Sequence, residues 1–277
     1  MNEFQSEAGS APDPEEVLAR VIANRGDIFE EFKLLIRTMP RAYELNQKVA
    51  GYVHQYRTLG TADQLLSLPM RELIATAQLC AKGEDRFAPN HVRKLWRLGV
   101  TNQVIFEAGL AIAMVLGWST LGHVALAILT AGDANYPDGE IPPGGAPREL
   151  TPFAELTMGG EPAGLPAAGM LEEPEWQYVA GIDPELARRT AGLVDYTYLA
   201  GAAQGMQLGA VPRALIAIAG LCARGEAELA ARHIVRTYSM GVSKRQVLEA
   251  ISCVIPMTGP VTVQIGARAM QIADKQA

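Results

Sequence analysis

Along most of the chain, apolar residues recur with the spacing of helix turns, and most such runs open on a proline or a small polar residue. Many of them close on a glycine. Asp13-Pro14 opens the first, which ends near Gly26, and Asp27 is placed to cap a second through Ile36. Pro40 opens a longer one through Tyr56, Pro69 opens one over Met70 to Lys82, and a further helix is expected from Arg86 to Leu98. Thr101 and Ser119 cap the next two, through Val115 and to Leu129, with Gly117 between them. Later helices are expected from Asp183-Pro184 to about Gly201, from Pro212, from Glu226 to Met240 and after the capping box of Ser243 and Gln246. Gly259-Pro260 divides the last two. No stretch keeps the strict alternation of a half-buried strand, so the pattern predicts an all-α protein.

The same punctuation occurs twice. Leu79-Cys80-Ala81-Lys82-Gly83-Glu84, His91, Gly99-Val100-Thr101 and Glu107 are matched by Leu221-Cys222-Ala223-Arg224-Gly225-Glu226, His233, Gly241-Val242-Ser243 and Glu249. The separations 222 − 80, 233 − 91 and 249 − 107 all equal 142, a constant register that predicts two tandem helical repeats packed on each other. The expected organisation is a disordered tail over residues 1–12, a first repeat with an N-terminal helical extension over 13–130, and a second repeat over 177–277. Residues 131–176 change texture, with eight prolines between 131 and 174, and read as a linker or an arm. Phe153, Leu156, Met158, Leu165, Met170 and Leu171 are the side chains with which an arm would dock. More helix faces are predicted than one pair of repeats can cover, which points to a homo-oligomer.

Composition narrows the partners. A 49% hydrophobic content suits a globular core, and a net charge of −6 without any basic cluster argues against nucleic acid. The longest apolar run, Ala108 to Trp118, is too short for a bilayer, and the polar, acidic start has no apolar signal core. The cysteines, three in all, are too few and too scattered for a disulfide framework, so a reducing, cytoplasmic location is expected.

Three titratable groups stand out. His91 shares a helix face with Phe87, Leu95 and Leu98, and His233 shares one with Leu229 and Met240, so both rings should point inward. Glu72 shares a face with Thr76 and Leu79, and a buried carboxylate needs a partner, for which His91 on the following helix is the candidate. Such a pair can move protons at neutral pH. The positions 142 residues beyond Glu72 and His123 hold Ala214 and Ile265, so only the first repeat carries this set. The 4 histidines lack metal-ligand spacing, and neither metal nor organic cofactor is expected. The competing readings are a non-catalytic small-molecule-binding or assembly protein, and a divergent thiol redox protein using Cys80.

Arg71-Glu72-Leu73-Ile74, Leu79 to Gly83, His91, Gly99-Val100-Thr101 and Glu107 together resemble the carboxymuconolactone decarboxylase and alkylhydroperoxidase D (AhpD-like) superfamily. The resemblance covers both repeats but not the linker or tail. It implies an all-helical fold that assembles as trimers or hexamers of repeats, hence a homotrimer for a tandem chain. The peroxidase branch combines Glu, Cys-x-x-Cys and His, with Glu and His separated as Glu72 and His91 are, by 19 residues. Its two cysteine positions fall on Glu84 and Phe87 here, which leaves no thiolate nucleophile and makes a thiol peroxidase unlikely on chemical grounds. The decarboxylase branch remains, implying cofactor-independent acid–base chemistry on a small unsaturated carboxylic acid or lactone: decarboxylation or a related isomerisation, dehydration or cyclisation. Under that resemblance Glu72 and His91 transfer the proton, His123 or a backbone amide holds the oxyanion, and Cys80, Glu84 and Phe87 border the substrate pocket.

Overall fold

A computed structural model describes residues 12–25, 28–54, 65–137, 141–159 and 173–276. Helix is the regular structure throughout the described residues, with no strand among them. The expected tail, Gly26, the Asp27 cap, Tyr56, and Leu165, Met170 and Leu171 lie outside the described residues. Two compact units form. In the smaller, α1 (Pro14–Arg25), α2 (Glu30–Thr38) and α3 (Pro40–His54) close around Val17, Val21, Ile36 and Tyr43.

The larger unit holds α4 (Leu68–Ala81), α5 (Ala88–Arg97), α6 (Asn102–Leu116) and α7 (Ser119–Ala131), then α8 (Pro174–Ile182) and α9 (Pro184–Leu199). It continues with α10 (Ala210–Arg224), α11 (Ala227–Ser239), α12 (Lys244–Ser252), α13 (Ile255–Thr258) and α14 (Val261–Ala273). The anticipated punctuation acts through specific bonds. Ser67 accepts from the Met70 amide, Thr101 from Val104, Asp183 from Leu186, and Ser243 and Gln246 close a capping box. α8 starts at Pro174, within the stretch read as linker. Opposite α6, the second half is interrupted between α12 and α13, where Pro256 has no N–H to offer the carbonyl four residues back.

Helices α4 and α10 form the centre, buried from Pro69 to Cys80 and from Ala210 to Cys222. They pack on α6 and on each other, and α10 also packs on α11, α12 and α14. Their starts, Leu68 and Ala210, are 142 residues apart, as are Ser119 and Val261 at the starts of α7 and α14. One contact reaches across between the halves in both directions. Glu107 of α6 accepts from the amides of Gln207 (3.0 Å) and Leu208 (2.6 Å), ahead of α10. Glu249 of α12 accepts from Leu65 (2.9 Å) and Leu66 (2.9 Å), ahead of α4. Each carboxylate satisfies amides that precede the other half's central helix, near the positive end of its dipole.

The stretch 141–159 lies on this body. Leu156 is fully buried in the main core, Phe153 packs against that core, and Met158 stays more exposed. The Leu156 carbonyl accepts from Gly209 (2.7 Å) and Met158 from Val211 (3.2 Å), while Thr151 donates its amide to Gly99 (2.9 Å). Glycine is required at both contact points. A Cβ on Gly209 would lie 2.1 Å from the Met158 carbonyl oxygen, and one on Gly99, whose φ is +78°, would lie 1.8 Å from the Thr151 hydroxyl.

Candidate functional site

The first half brings Glu72 and His91 together. Because α4 is buried on every side, the Glu72 carboxylate has nowhere to reach water, and its side chain is 3% exposed. Oε2 meets His91 Nδ1 at 2.7 Å, and Oε1 lies 3.7 Å from Lys94 Nζ on the next turn of α5. The His91 ring is 16% exposed, so the pair runs from the interior towards the surface. With Nδ1 against the carboxylate, the ring orientation is set and proton exchange with a substrate would run through Nε2. Lys94 was not foreseen. Its signal was present in the sequence, because the position 142 residues on is Arg236 and a cation therefore follows each histidine by three residues.

His123 does not join the pair. Its Nδ1 bonds Asp85 Oδ1 at 2.7 Å in a half-exposed ion pair, and its ring lies over Gly83. The oxyanion role implied for it therefore has no contact with Glu72 or His91 behind it. Cys80 is sealed in the core, Glu84 stands at the surface 3.7 Å from Lys82, and Phe87 precedes α5 and packs on the core.

The cysteines are poor nucleophiles. Burial pushes the thiols of Cys80, Cys222 and Cys253 up to about 12, with the nearby Asp85 charge adding to the rise at Cys80. Among the described residues no group of His, Cys, Asp and Glu is placed to hold a metal ion, and no helix is long and apolar enough to cross a membrane.

The second half is built differently at the matched positions. A cleft of about 510 Å³ opens between α6, α8, α9, α10 and α11, and His233 and Arg236 line it. Cys80, Glu84 and Phe87 do not. The His233 ring stands edge-on to Tyr198, 5.4 Å between centroids, and the Tyr198 hydroxyl donates to the Ala111 carbonyl (2.8 Å). Burial, and then the charge of Arg236, pull the His233 ring down to about 4, so it is neutral at pH 7. On α10, the position matching Glu72 is the buried Ala214. Compared with known proteins, the chain matches no family model and no curated protein.

Proposed function

We propose that this protein is a cofactor-independent acid–base enzyme, a tandem relative of the carboxymuconolactone decarboxylase and AhpD-like superfamily. Its substrate is a small unsaturated carboxylic acid or lactone, and its single working site is in the first half. The observation that carries this reading is the buried Glu72 carboxylate held 2.7 Å from His91 Nδ1. An ionised group taken out of water costs several kcal/mol unless it is paired, and a purely structural role is already met in the second half by Ala214.

In a decarboxylation the C–C bond to the carboxylate breaks, CO2 leaves, and the electron pair enters the conjugated carbonyl as an enolate. A proton taken from water at His91 Nε2 is then delivered to carbon, while Glu72 fixes the ring and balances its charge. Tandem duplication is supported by the matched helix starts and the crosswise Glu107 and Glu249 contacts. Assembly as a homotrimer in a reducing cytoplasm belongs to the same reading, and light scattering of the purified protein tests it.

The deciding experiment follows CO2 release from carboxylated unsaturated γ-lactones. The wild type should turn over at least one of them, and His91→Asn should lower kcat by about 10²–10⁴. Ala214→Ser should leave the rate unchanged. A Glu72→Ala variant with wild-type turnover would sink the proposal.

A further inference from the structure

The cleft beside His233 raises a separate question, independent of the Glu72–His91 pair. On α5 and α11 the same two groups recur, His91 with Lys94 and His233 with Arg236, each cation one turn after the ring and on its face. In the first half both meet one carboxylate, Glu72, at 2.7 and 3.7 Å. In the second half α10 supplies only the methyl group of Ala214. Among the described residues neither the Arg236 guanidinium nor the ring nitrogens of His233 have a hydrogen-bond or ion-pair partner; the ring's contact is with the edge of Tyr198.

The other charges in the cleft wall are accounted for differently. Arg232 is held by Glu175 (2.6 Å) and Glu173 (3.4 Å), which ties α11 to the start of α8. Asp195 also lines the wall, but the charge felt at both the His233 ring and the Tyr198 hydroxyl is that of Arg236. One end of the cleft is therefore locally cationic. The remainder is apolar, with Met114 and Val115 of α6, Val194 of α9 and Leu221 of α10 on its walls. An unpaired guanidinium against such walls loses hydration without compensation, and a carboxylate restores it through charge-assisted hydrogen bonds. The volume falls in the range of small-molecule sites, about 300–1,000 Å³.

We propose that the cleft binds an amphipathic monocarboxylic acid. Its carboxylate lies against Arg236 and His233, in the part that Glu72 plays in the first half, and its apolar body runs along Met114, Val115, Val194 and Leu221. One uncompensated cation selects a single negative charge, and neutral His233 contributes a hydrogen bond without a second charge.

Decanoate and its uncharged isostere decanamide, titrated calorimetrically into the full-length protein at pH 7, test this. Decanoate should bind saturably at one site per chain and decanamide about tenfold or more weakly. Arg236→Gln should weaken decanoate by a similar factor and leave decanamide unchanged. Ala214→Glu, which restores an internal carboxylate, should abolish decanoate binding. Equal affinity for the two probes, an unaffected Arg236→Gln variant or the lack of saturable binding would each overturn the proposal. Circular dichroism checks that Ala214→Glu folds; if it does not, the Arg236→Gln comparison decides alone.

Discussion

The two halves of the larger unit share a scaffold and differ at the group that a scaffold does not need. Glu107 and Glu249 are both retained, and each closes the amides ahead of the other half's central helix. Arg71 and Arg213 are retained and fully buried, though with different partners. Arg71 bonds Glu249 (3.0 Å) and the Leu66 carbonyl (2.8 Å), whereas Arg213 spends its guanidinium on the carbonyls of Gly209, Thr197 and Ala200. Burial pulls Arg213 below its ordinary value, and the nearby Glu107 charge partly opposes this. Against these kept pairs, Glu72 faces Ala214. Charges that satisfy backbone amides are present in both halves, while the carboxylate that engages only a histidine and a lysine is present in one.

Breaking the comparison at Glu72 should have the largest effect. Glu72→Gln keeps the shape of the side chain but removes its charge, and kcat should fall by about 10²–10³ with little change in KM, read from steady-state kinetics on the lactone substrate. The crosswise carboxylates come next. Glu249→Ala strands the buried Arg71 and two amides, and urea denaturation should show a loss of about 3–5 kcal/mol. Glu107→Ala strands amides but no directly bonded arginine, so about 1–3 kcal/mol is expected. Equal losses would mean that the Arg71–Glu249 bond adds nothing.

The pH response sharpens the contrast between the histidines. The folded state holds His233 at about 4 against an ordinary 6.5, so between those values the unfolded chain takes up a proton that the folded chain refuses. The stability contribution is complete above about pH 6.5 and is lost as the pH falls towards 4. Because the ring is half-buried, the amount is of order 1 kcal/mol. His233→Gln should flatten that limb of the stability curve, and an unchanged acid limb would contradict the burial argument. Smallest of all is the thiol effect. With all three thiols pushed up to about 12, a disulfide reagent at pH 8 should modify the folded protein negligibly and the urea-unfolded protein at three sites.

Some of this was legible along the chain. Ser67, Thr101, Asp183 and Ser243 cap helices through bonds to residues three positions on, and local chemistry of that kind is written in adjacent letters. The meeting of Glu72 and His91 was legible too, because two inward faces on consecutive helices leave a buried carboxylate few partners. His123 was harder. Its partner Asp85 lies in the turn after α4, and turn residues carry no periodicity from which a direction can be read. Leu156 looked like part of a linker, since a single apolar residue among prolines gives no pattern, yet it is fully buried.

The sequence by itself determined the all-helical class, the helix boundaries to within a few residues, the repeated register and the inward direction of Glu72 and His91. Each of these depends on residues within a turn or two of one another, where backbone geometry fixes the neighbours. Only the tertiary structure decided that Glu107 caps Leu208 and Glu249 caps Leu66, that residues 151–158 lie on the body, and that α6, α8, α9 and α11 leave a cleft at Arg236. Those contacts join segments roughly a hundred or more residues apart in several cases, and which pairs meet is set by how whole helices pack, a cooperative outcome to which no single stretch of chain holds the answer.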